Sequence, residues 1–119
     1  MRPLQHPSVD DLTLEAIFHA LSDPVRVEIF AQIVGCASPQ GCSDFLCVSN
    51  KDIPKSTLSQ HFKVLREAGL IRSERKGVEM LNWSRQEEID KRFPGLITAF
   101  AKAHKVQSAA KRPRATRSA

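Results

Sequence analysis

The sequence lacks the features that mark membrane, secreted and fibrous proteins. No run of about 18 apolar residues occurs in its 119 residues, so no transmembrane helix is predicted. The first eleven residues lack the continuous apolar stretch of a secretory signal. Five glycines and seven prolines show no collagen-like or low-complexity pattern. These absences predict a globular, cytoplasmic protein, and a length of 119 residues fits one small domain with a single core.

Cysteine is scarce, and motifs of catalysis are missing. The three cysteines, Cys36, Cys42 and Cys47, cannot all pair within one chain and are too few for a secreted disulfide scaffold, so reduced thiols are expected. No Gly-rich phosphate loop, G-x-S-x-G or H-E-x-x-H motif is present. A thiol nucleophile at Cys42 or Cys47 with His61 as its base is the enzyme alternative, but nothing in the sequence orients that pair. We therefore expect a protein that is not an enzyme.

Acidic residues are absent from the C-terminal segment, residues 105–119, whose five basic residues equal the whole net charge of +5. Its last stretch, KRPRATRSA, has no apolar periodicity, so a basic disordered tail is predicted after one folded domain at residues 1–104. Within that domain, residues 51–76 contain seven basic and three acidic side chains. This local excess favours a surface that faces a polyanion, although a solvated helix face is the alternative.

Apolar periodicity predicts helices in the first third of the chain. One helix is predicted over residues 10–21. Ser22 or Asp23 can cap a second helix, with Pro24 in its first turn and its end near Gly35. Residues 41–48 could form a short third helix, but the Ser, Pro and Gly residues just before favour a loop at least as strongly.

The clearest helical segment runs from Pro54 to Ile71. Leu58, Phe62 and Leu65 share one face of a helical wheel, and polar residues occupy the opposite face. Gly69 fits the position just past the helix end. This segment is therefore predicted to pack on one side and to leave the other side free.

The rest of the chain predicts a hairpin and a last helix. Residues 70–75 and 78–83, separated at Lys76-Gly77, indicate two β-strands with a basic tip. Residues 87–102 indicate a helix that Phe93-Pro94-Gly95 must kink or split. The predicted fold is mainly α with a two-stranded β-hairpin and about five helices, in the plan of a winged helix-turn-helix.

The polar face of the 54–71 helix carries residue types that suit the major groove of DNA. Small hydroxyl groups allow close approach, and Gln60 can offer its amide to adenine. Basic side chains on the helix and hairpin would bind phosphates, which position a protein without reading sequence. The residues selected on this basis are Lys55, Ser56, Thr57, Ser59, Gln60, Lys63, Arg66, Arg72, Arg75 and Lys76. The alternative is a winged-helix protein-interaction module without DNA binding, but no aromatic or Met anchor supports it.

Three segments also occur in a characteristic order: ALSDPVRVEIF (20–30), STLSQHFKVLREAGLI (56–71) and RKGVEMLNW (75–83). Together they resemble the ArsR/SmtB family of bacterial winged helix-turn-helix repressors, over about residues 10–102. The resemblance implies a homodimer, paired through its first and last helices, that binds double-stranded DNA and leaves its operator when an inducer binds. It also places His61 on the recognition helix, where a structural hydrogen bond and a phosphate contact are both open.

Sensors of this family hold metals or metalloids through thiols near the third helix or through Asp and His residues on the last one. Asp90 and His104 lack the further ligands of a zinc shell, and His104 is expected to be solvated near a helix end. Cys36, Cys42 and Cys47 lie near the third-helix position with the spacing C-x5-C-x4-C. They would suit As(III) or another thiophilic ion. Reversible disulfide sensing and inert buried thiols are the alternatives.

A homodimer is also expected because the first and last predicted helices have more apolar surface than so small a core needs. The residues selected for this surface are Leu12, Leu14, Ile17, Phe18, Leu96, Ile97 and Phe100.

Overall fold

The computed structural model describes residues 6–35, 40–41 and 53–111. Within these residues the helices are α1 (Leu14–Ala20), α2 (Pro24–Val34), α3 (Lys55–Glu67), α4 (Gln86–Arg92) and α5 (Leu96–Lys111). The strands are β1 (Gln40–Gly41), β2 (Ile71–Lys76) and β3 (Glu79–Ser84), which form an antiparallel sheet in the order β1-β3-β2. The predicted class, mainly α with a β-hairpin and about five helices, is confirmed.

The first helix begins later than its apolar pattern predicts. Residues 9–11 form a single 3₁₀ turn, and Leu12 is extended before α1 begins. The side chain of Thr13 accepts a hydrogen bond from the backbone N–H of Ala16 at 3.1 Å, so it caps a new helix. Leu12 and Ile17 flank this cap and are both buried, in the arrangement of a hydrophobic staple. The continuous helix predicted over residues 10–21 is therefore wrong.

The turn between α1 and α2 is fixed by Asp23 and Arg26. Asp23 is the cap of α2, accepting from Val25 N at 2.8 Å and Arg26 N at 3.3 Å, and Pro24 occupies the first turn as predicted. Arg26 reaches back to donate from Nε to the Ala20 carbonyl at 2.7 Å. A cation is thereby placed at the carbonyl end of α1, where it is favourable.

Helix α3 packs one side into the core. Leu58, Phe62 and Leu65 are buried, as predicted. The helix ends in a Schellman motif, in which Gly69 N donates to Arg66 O at 3.0 Å and Leu70 N to Leu65 O at 3.1 Å. Gly69 has a φ of +86°, so the predicted glycine position past the helix end is confirmed.

The β2–β3 hairpin, called the wing below, follows α3 directly. Its register pairs Ile71 with Ser84 and Lys76 with Glu79. The two-residue loop between the strands contains Gly77 at a φ of +62°, which the primed turns of short hairpins require. The structure adds β1, whose two residues pair with β3 and carry too little pattern to be predicted. Gly41 lies in this strand, and the rest of the candidate helix at residues 42–48 lies outside the described residues.

The last helical segment is split, as predicted. Helix α4 ends at Arg92, Gly95 has a φ of +84°, and α5 begins at Leu96. Helix α5 continues to Lys111, so residues 105–111, which were predicted to belong to the disordered tail, are helical. The candidate tail residues 112–119 lie outside the described residues.

Candidate nucleic-acid interface

One face of α3 is free of the core and polar. Every residue of this face is exposed, while the opposite face carries the buried Leu58, Phe62 and Leu65. The structure brings together six of the selected residues here: Lys55, Ser56, Thr57, Ser59, Gln60 and Lys63. We call these six residues the α3 polar face. It offers hydroxyl, amide and ammonium groups along one side of a single helix, and hydroxyl and amide groups can hydrogen-bond to base edges.

The start of α3 is suited to an anion. Pro54 precedes the helix and makes no side-chain capping hydrogen bond, and the first turn contains no acidic residue. The first backbone N–H groups of a helix lack intrahelical partners and carry a partial positive charge. A phosphate group would therefore be favoured at this end of the α3 polar face.

His61 faces the body of the protein. It is half-buried, and its Nδ1 lies 3.3 Å from Nη1 of Arg26 on α2. Because a guanidinium can only donate, His61 Nδ1 accepts in this contact. Of the two roles left open by the sequence, the contact supports a structural hydrogen bond that joins α2 to α3.

Arg66 also turns away from the α3 polar face. It is half-buried, and its Nη1 donates to Ser73 Oγ on β2 at 3.3 Å. Ser73 Oγ in turn donates to Asn82 Oδ1 on β3 at 2.6 Å, and both residues are buried. His6 Nε2 accepts from the backbone N–H of Ser73 at 3.0 Å, so it covers a donor of the edge strand β2. This group links α3 to the wing.

The wing presents two of its three selected basic residues to solvent. Arg75 and Lys76 are exposed at the end of β2, next to the Gly77 turn. Arg72 lies at the other end of the wing, where its Nη2 is 3.6 Å from Glu88 Oε2 on α4. The basic tip is therefore formed by Arg75 and Lys76, and Arg72 faces α4 instead.

The base of the wing is tied to α4 by a buried arginine. Arg85 donates from Nε and Nη2 to the two oxygens of Glu88 at 3.2 and 2.7 Å. The Arg85 hydrogen bond holds the pKa of the Glu88 carboxyl below its ordinary value; partial burial opposes this, and the charges of Arg85 and Arg72 support it. Glu88 therefore stays ionised and keeps both of its hydrogen bonds from the Arg85 guanidinium.

Several of these polar contacts were missed by sequence reasoning. Arg26 lies in the segment ALSDPVRVEIF (20–30). Its position just after the Asp23-Pro24 cap was the signal that could have indicated its contact with α1. Nothing in the sequence indicated that Ser73 and Asn82 are buried, because their burial depends on the pairing of two strands that brings together residues nine positions apart. The sequence also contains no indication that Arg85, which is 4% exposed, is buried.

His104 differs from its expected solvated position. It lies within α5, with Nε2 at 3.1 Å from Glu28 Oε1 on α2 and 3.2 Å from Ser108 Oγ. Its ring also stacks on Phe100, with centroids 6.1 Å apart. The prediction failed because α5 continues past residue 104, which places His104 against α2 rather than at a free helix end.

The candidate sensing residues Cys36, Cys42 and Cys47 lie outside the described residues. Across residues 6–35, 40–41 and 53–111, no group of three His, Cys, Asp or Glu side chains could hold a metal ion. In the same part of the chain, no helix has the length and apolar character needed to cross a membrane.

The residues selected for a dimer surface divide into two sets. Leu12, Ile17 and Ile97 are buried in the core of this single chain, so the prediction that they add to an exposed apolar surface is wrong. Leu12 and Ile17 form the hydrophobic staple of α1, and Ile97 packs α5 against the core. Leu14 and Phe18 are 39% and 55% exposed, respectively. Leu96 and Phe100 are partly buried against the core.

The sequence is similar to those of known proteins. A family model described as a helix-turn-helix domain matches residues 21–74. The HTH-type transcriptional repressor SmtB of Mycobacterium tuberculosis is 37% identical over 65 residues, covering 55% of this chain and 45% of that protein. The chain thus spans about half the length of SmtB. The uncharacterized HTH-type transcriptional regulator YceK of Bacillus subtilis is 33% identical over 89 residues, covering 74% of this chain and 86% of YceK.

The fold has counterparts among solved structures. An ArsR-like transcriptional regulator from Rhodococcus sp. RHA1 matches with a TM-score of 0.55 at 24% identity, covering 82% of this chain and 89% of that one. This likeness confirms the winged helix-turn-helix fold. The relatives above show that the chain belongs to the ArsR/SmtB family of helix-turn-helix transcriptional regulators, a family of regulators and not of enzymes.

Proposed function

We propose that the protein is a sequence-specific DNA-binding repressor that acts as a homodimer in the cytoplasm and leaves its operator when an inducer binds. The observation that carries this proposal is the α3 polar face, exposed along one side of a helix whose other side is buried. A helix with this division can lie in the major groove without losing core packing.

The polar face and the wing supply different parts of the proposed contact. Ser56, Thr57, Ser59 and Gln60 would reach base edges, while Lys55 and Lys63 would bind phosphates. Arg75 and Lys76 would bind the backbone beside the groove from the wing tip. His61 and Arg66 would hold α3 in position through Arg26 and Ser73, because both side chains are engaged inside the protein.

A homodimer is supported by exposed apolar residues on the first and last helices. Leu14 and Phe18 are four positions apart on α1, so they share a face of that helix. Val106 on α5 is 72% exposed. Pairing of two copies through these helices would bury them, and two-fold symmetry would place two α3 helices on two half-sites of an operator.

Selection from a random duplex library tests the proposal directly. We expect enrichment of an inverted repeat with half-sites about 10 base pairs apart, and protection of such a site in the DNA upstream of the protein's own gene. Binding to random duplex should be weaker and should fall steeply with salt. Failure to bind any duplex at low salt would contradict the proposal and favour a protein-interaction module.

The inducer is proposed to act through the cysteines. Cys42 and Cys47, with Cys36, would bind As(III) or another thiophilic ion, or form a disulfide, and so change how α3 meets the groove. A coupling of about 1–3 kcal/mol would change operator affinity roughly 5- to 150-fold. We expect arsenite, cadmium, zinc or peroxide to release the wild type but not a Cys42→Ser/Cys47→Ser double variant. Equal release of both, or of neither, would show that the thiols are bystanders.

A further inference from the structure

Arg26 on α2 joins three helices through its side chain. Its Nε donates to the Ala20 carbonyl at 2.7 Å, and its Nη2 lies 3.5 Å from the His19 carbonyl, both at the end of α1. Its Nη1 lies 3.3 Å from His61 Nδ1 on α3. The planar guanidinium therefore uses all three of its nitrogens, two on α1 and one on α3.

Arg26 is fixed at its backbone as well as at its guanidinium. Its backbone N–H donates to Asp23 Oδ1 at 3.3 Å, in the capped first turn of α2. Arg26 and His61 are both half-buried, and a hydrogen bond away from bulk water is stronger than one on an open surface. The contact between α2 and α3 is therefore held at both of its ends.

The buried side of α3 is tied on both of its flanks. At about 100° per residue, His61 stands about 60° from Leu58 in one direction and Arg66 about 80° in the other. His61 meets Arg26, and Arg66 donates to Ser73 on the wing. A directional hydrogen bond thus holds each flank of the helix.

These directional contacts bear on the rotation of α3 about its own axis. Apolar packing is non-directional, so Leu58, Phe62 and Leu65 hold α3 on the core without fixing this rotation sharply. With side chains about 5–6 Å from the helix axis, a rotation of about 10° moves an exposed group by about 1 Å. Hydrogen-bond lengths vary over only about half an ångström. Such a rotation would therefore break a base contact made by Gln60.

We propose that Arg26 is a positioning residue for base reading, which fixes the rotation of α3 through His61 and refers it to the end of α1. This inference rests on the proposed function, since it requires that α3 reads DNA. Arg26 itself does not contact DNA, because its guanidinium is engaged within the protein. Its loss lowers operator affinity and leaves the phosphate contacts, which do not read sequence, in place.

The same contact relates α3 to the proposed dimer surface. The exposed Leu14 and Phe18 of that surface lie on α1, and the carbonyls that Arg26 holds follow them at the end of the same helix. In a two-fold dimer, the angle between the two α3 helices depends on how each is held relative to the shared interface. Arg26 therefore contributes to the orientation in which the two half-sites are read.

The contact between Arg26 and His61 can be tested in the free, full-length protein. At alkaline pH, where imidazole rings are neutral, nitrogen NMR should show the His61 proton on Nε2, because Nδ1 accepts from Arg26. The His61 signals are identified among those of the four histidines by their loss in His61→Asn. In Arg26→Lys the Nδ1 signal should shift, since its donor is removed. A proton on Nδ1 in the wild type, or an unchanged Nδ1 signal in Arg26→Lys, would overturn the proposal.

Arg26→Lys keeps the positive charge but cannot engage α1 and α3 together. We expect its affinity for the preferred operator to fall at least about tenfold, which is the order of one lost base contact. Its affinity for random duplex should change less than about twofold at equal salt, because the phosphate contacts remain.

The matched control is Arg92→Lys. Arg92 Nε donates to the Leu12 carbonyl at 2.9 Å, so this variant loses the same kind of bond without touching α3. It should keep the wild-type ratio of operator affinity to random-duplex affinity. An equal fall of this ratio in Arg26→Lys and Arg92→Lys, or a loss in Arg26→Lys that is the same on both DNAs, would contradict the positioning role.

Two variants of His61 show whether Arg26 acts through it. His61→Asn places an acceptor oxygen close to the position of Nδ1 and should keep most of the operator affinity, whereas His61→Leu should lose as much as Arg26→Lys. The Arg26→Lys/His61→Leu double variant should lose no more than either single variant, because both remove the same contact. Additive losses, or equal losses in His61→Asn and His61→Leu, would show that Arg26 does not act through His61. Circular dichroism identifies variants that fail to fold, and the two His61 variants carry the comparison if Arg26→Lys is one of them.

The outcomes separate this inference from the proposed function. A wild type with the expected His61 signals but without preference for any duplex would retain the contact and reject both the repressor and the positioning role. Operator binding that is unaffected by folded Arg26→Lys would retain the repressor and reject the positioning role alone.

Discussion

Gln60 and Lys63 lie on the same exposed face of α3, but they would act differently on DNA. Gln60→Ala should lose roughly 1–3 kcal/mol of binding free energy on the preferred operator and little on random duplex, because its amide is proposed to read a base edge. Lys63→Ala should weaken binding to all sequences alike and lower the slope of log affinity against log salt by about one. Titrations on both DNAs at several salt concentrations measure these effects. Equal losses for Gln60→Ala on the two DNAs would remove Gln60 from the base-reading set.

Gly69 and Gly77 both have positive φ, but their surroundings differ. A methyl group on Gly69 would overlap Cδ2 of the buried Leu12, whereas one on Gly77 would meet open space. Gly77→Ala should therefore cost only the backbone term of about 1–2 kcal/mol. Gly69→Ala should cost roughly 1–3 kcal/mol more, because the core must rearrange. Urea unfolding compares the two, and equal losses would show that Leu12 moves aside freely.

Sequence reasoning succeeded for residues whose role follows from local periodicity. The 3.6-residue repeat of α3 separated its buried Leu58, Phe62 and Leu65 from the six exposed polar residues. It left the role of His61 open and did not separate Arg66 from that set, because their partners Arg26 and Ser73 come from other elements. A helical wheel contains no information about what another element places beside a half-buried side chain.

At the scale of elements, the contact of α4 with the wing should depend on pH through Glu88. The pKa of Glu88 is lowered in the folded protein by its Arg85 hydrogen bond. The ionised Glu88 carboxylate therefore contributes to the stability of the folded protein. This contribution is fully present above the ordinary glutamate pKa of about 4.3 and is lost as pH falls through the lower pKa of the folded state. Glu88→Gln should destabilise the protein at pH 7, and its difference from the wild type should shrink below about pH 4.

The matched control for this prediction is Glu87→Gln, which removes an exposed carboxylate from the same turn of α4. It should leave the urea midpoint at pH 7 nearly unchanged. A Glu88→Gln difference that is the same at pH 7 and pH 3.5 would contradict a role for the ionised carboxylate.

The order and type of the elements could be predicted, but some of their ends could not. The Phe93-Pro94-Gly95 break was visible because proline and glycine act locally. The start of α1 was missed, because the Thr13 cap and the burial of Leu12 outweigh an apolar repeat that suits a longer helix. The end of α5 was placed too early, since the His104 contact with Glu28 lies 76 residues apart in sequence.

At the scale of the whole molecule, dimer formation should depend on α1. Phe18→Glu would place a charge in the proposed interface, so it should convert a dimer of about 27 kDa, twice the 13.3 kDa chain, into a monomer at micromolar concentration. Val78→Glu is the matched control, because Val78 is fully exposed on the wing, outside α1 and α5. Light scattering distinguishes the two states. A monomeric wild type, or a dimeric Phe18→Glu variant, would contradict the proposed interface.

The basic C-terminal residues should add affinity that does not depend on sequence. Truncation after Lys111 removes Arg112, Arg114 and Arg117 and keeps every residue that the structure describes in α5. Loss of three positive charges should weaken binding to random duplex at low salt and reduce its salt dependence, because fewer counterions are released. The preferred operator sequence should stay the same, since base contacts are assigned to α3. Replacing the three arginines with lysines in the full chain retains the charge and should retain the affinity. Random-duplex binding that is unchanged by truncation would show that these residues do not contact DNA.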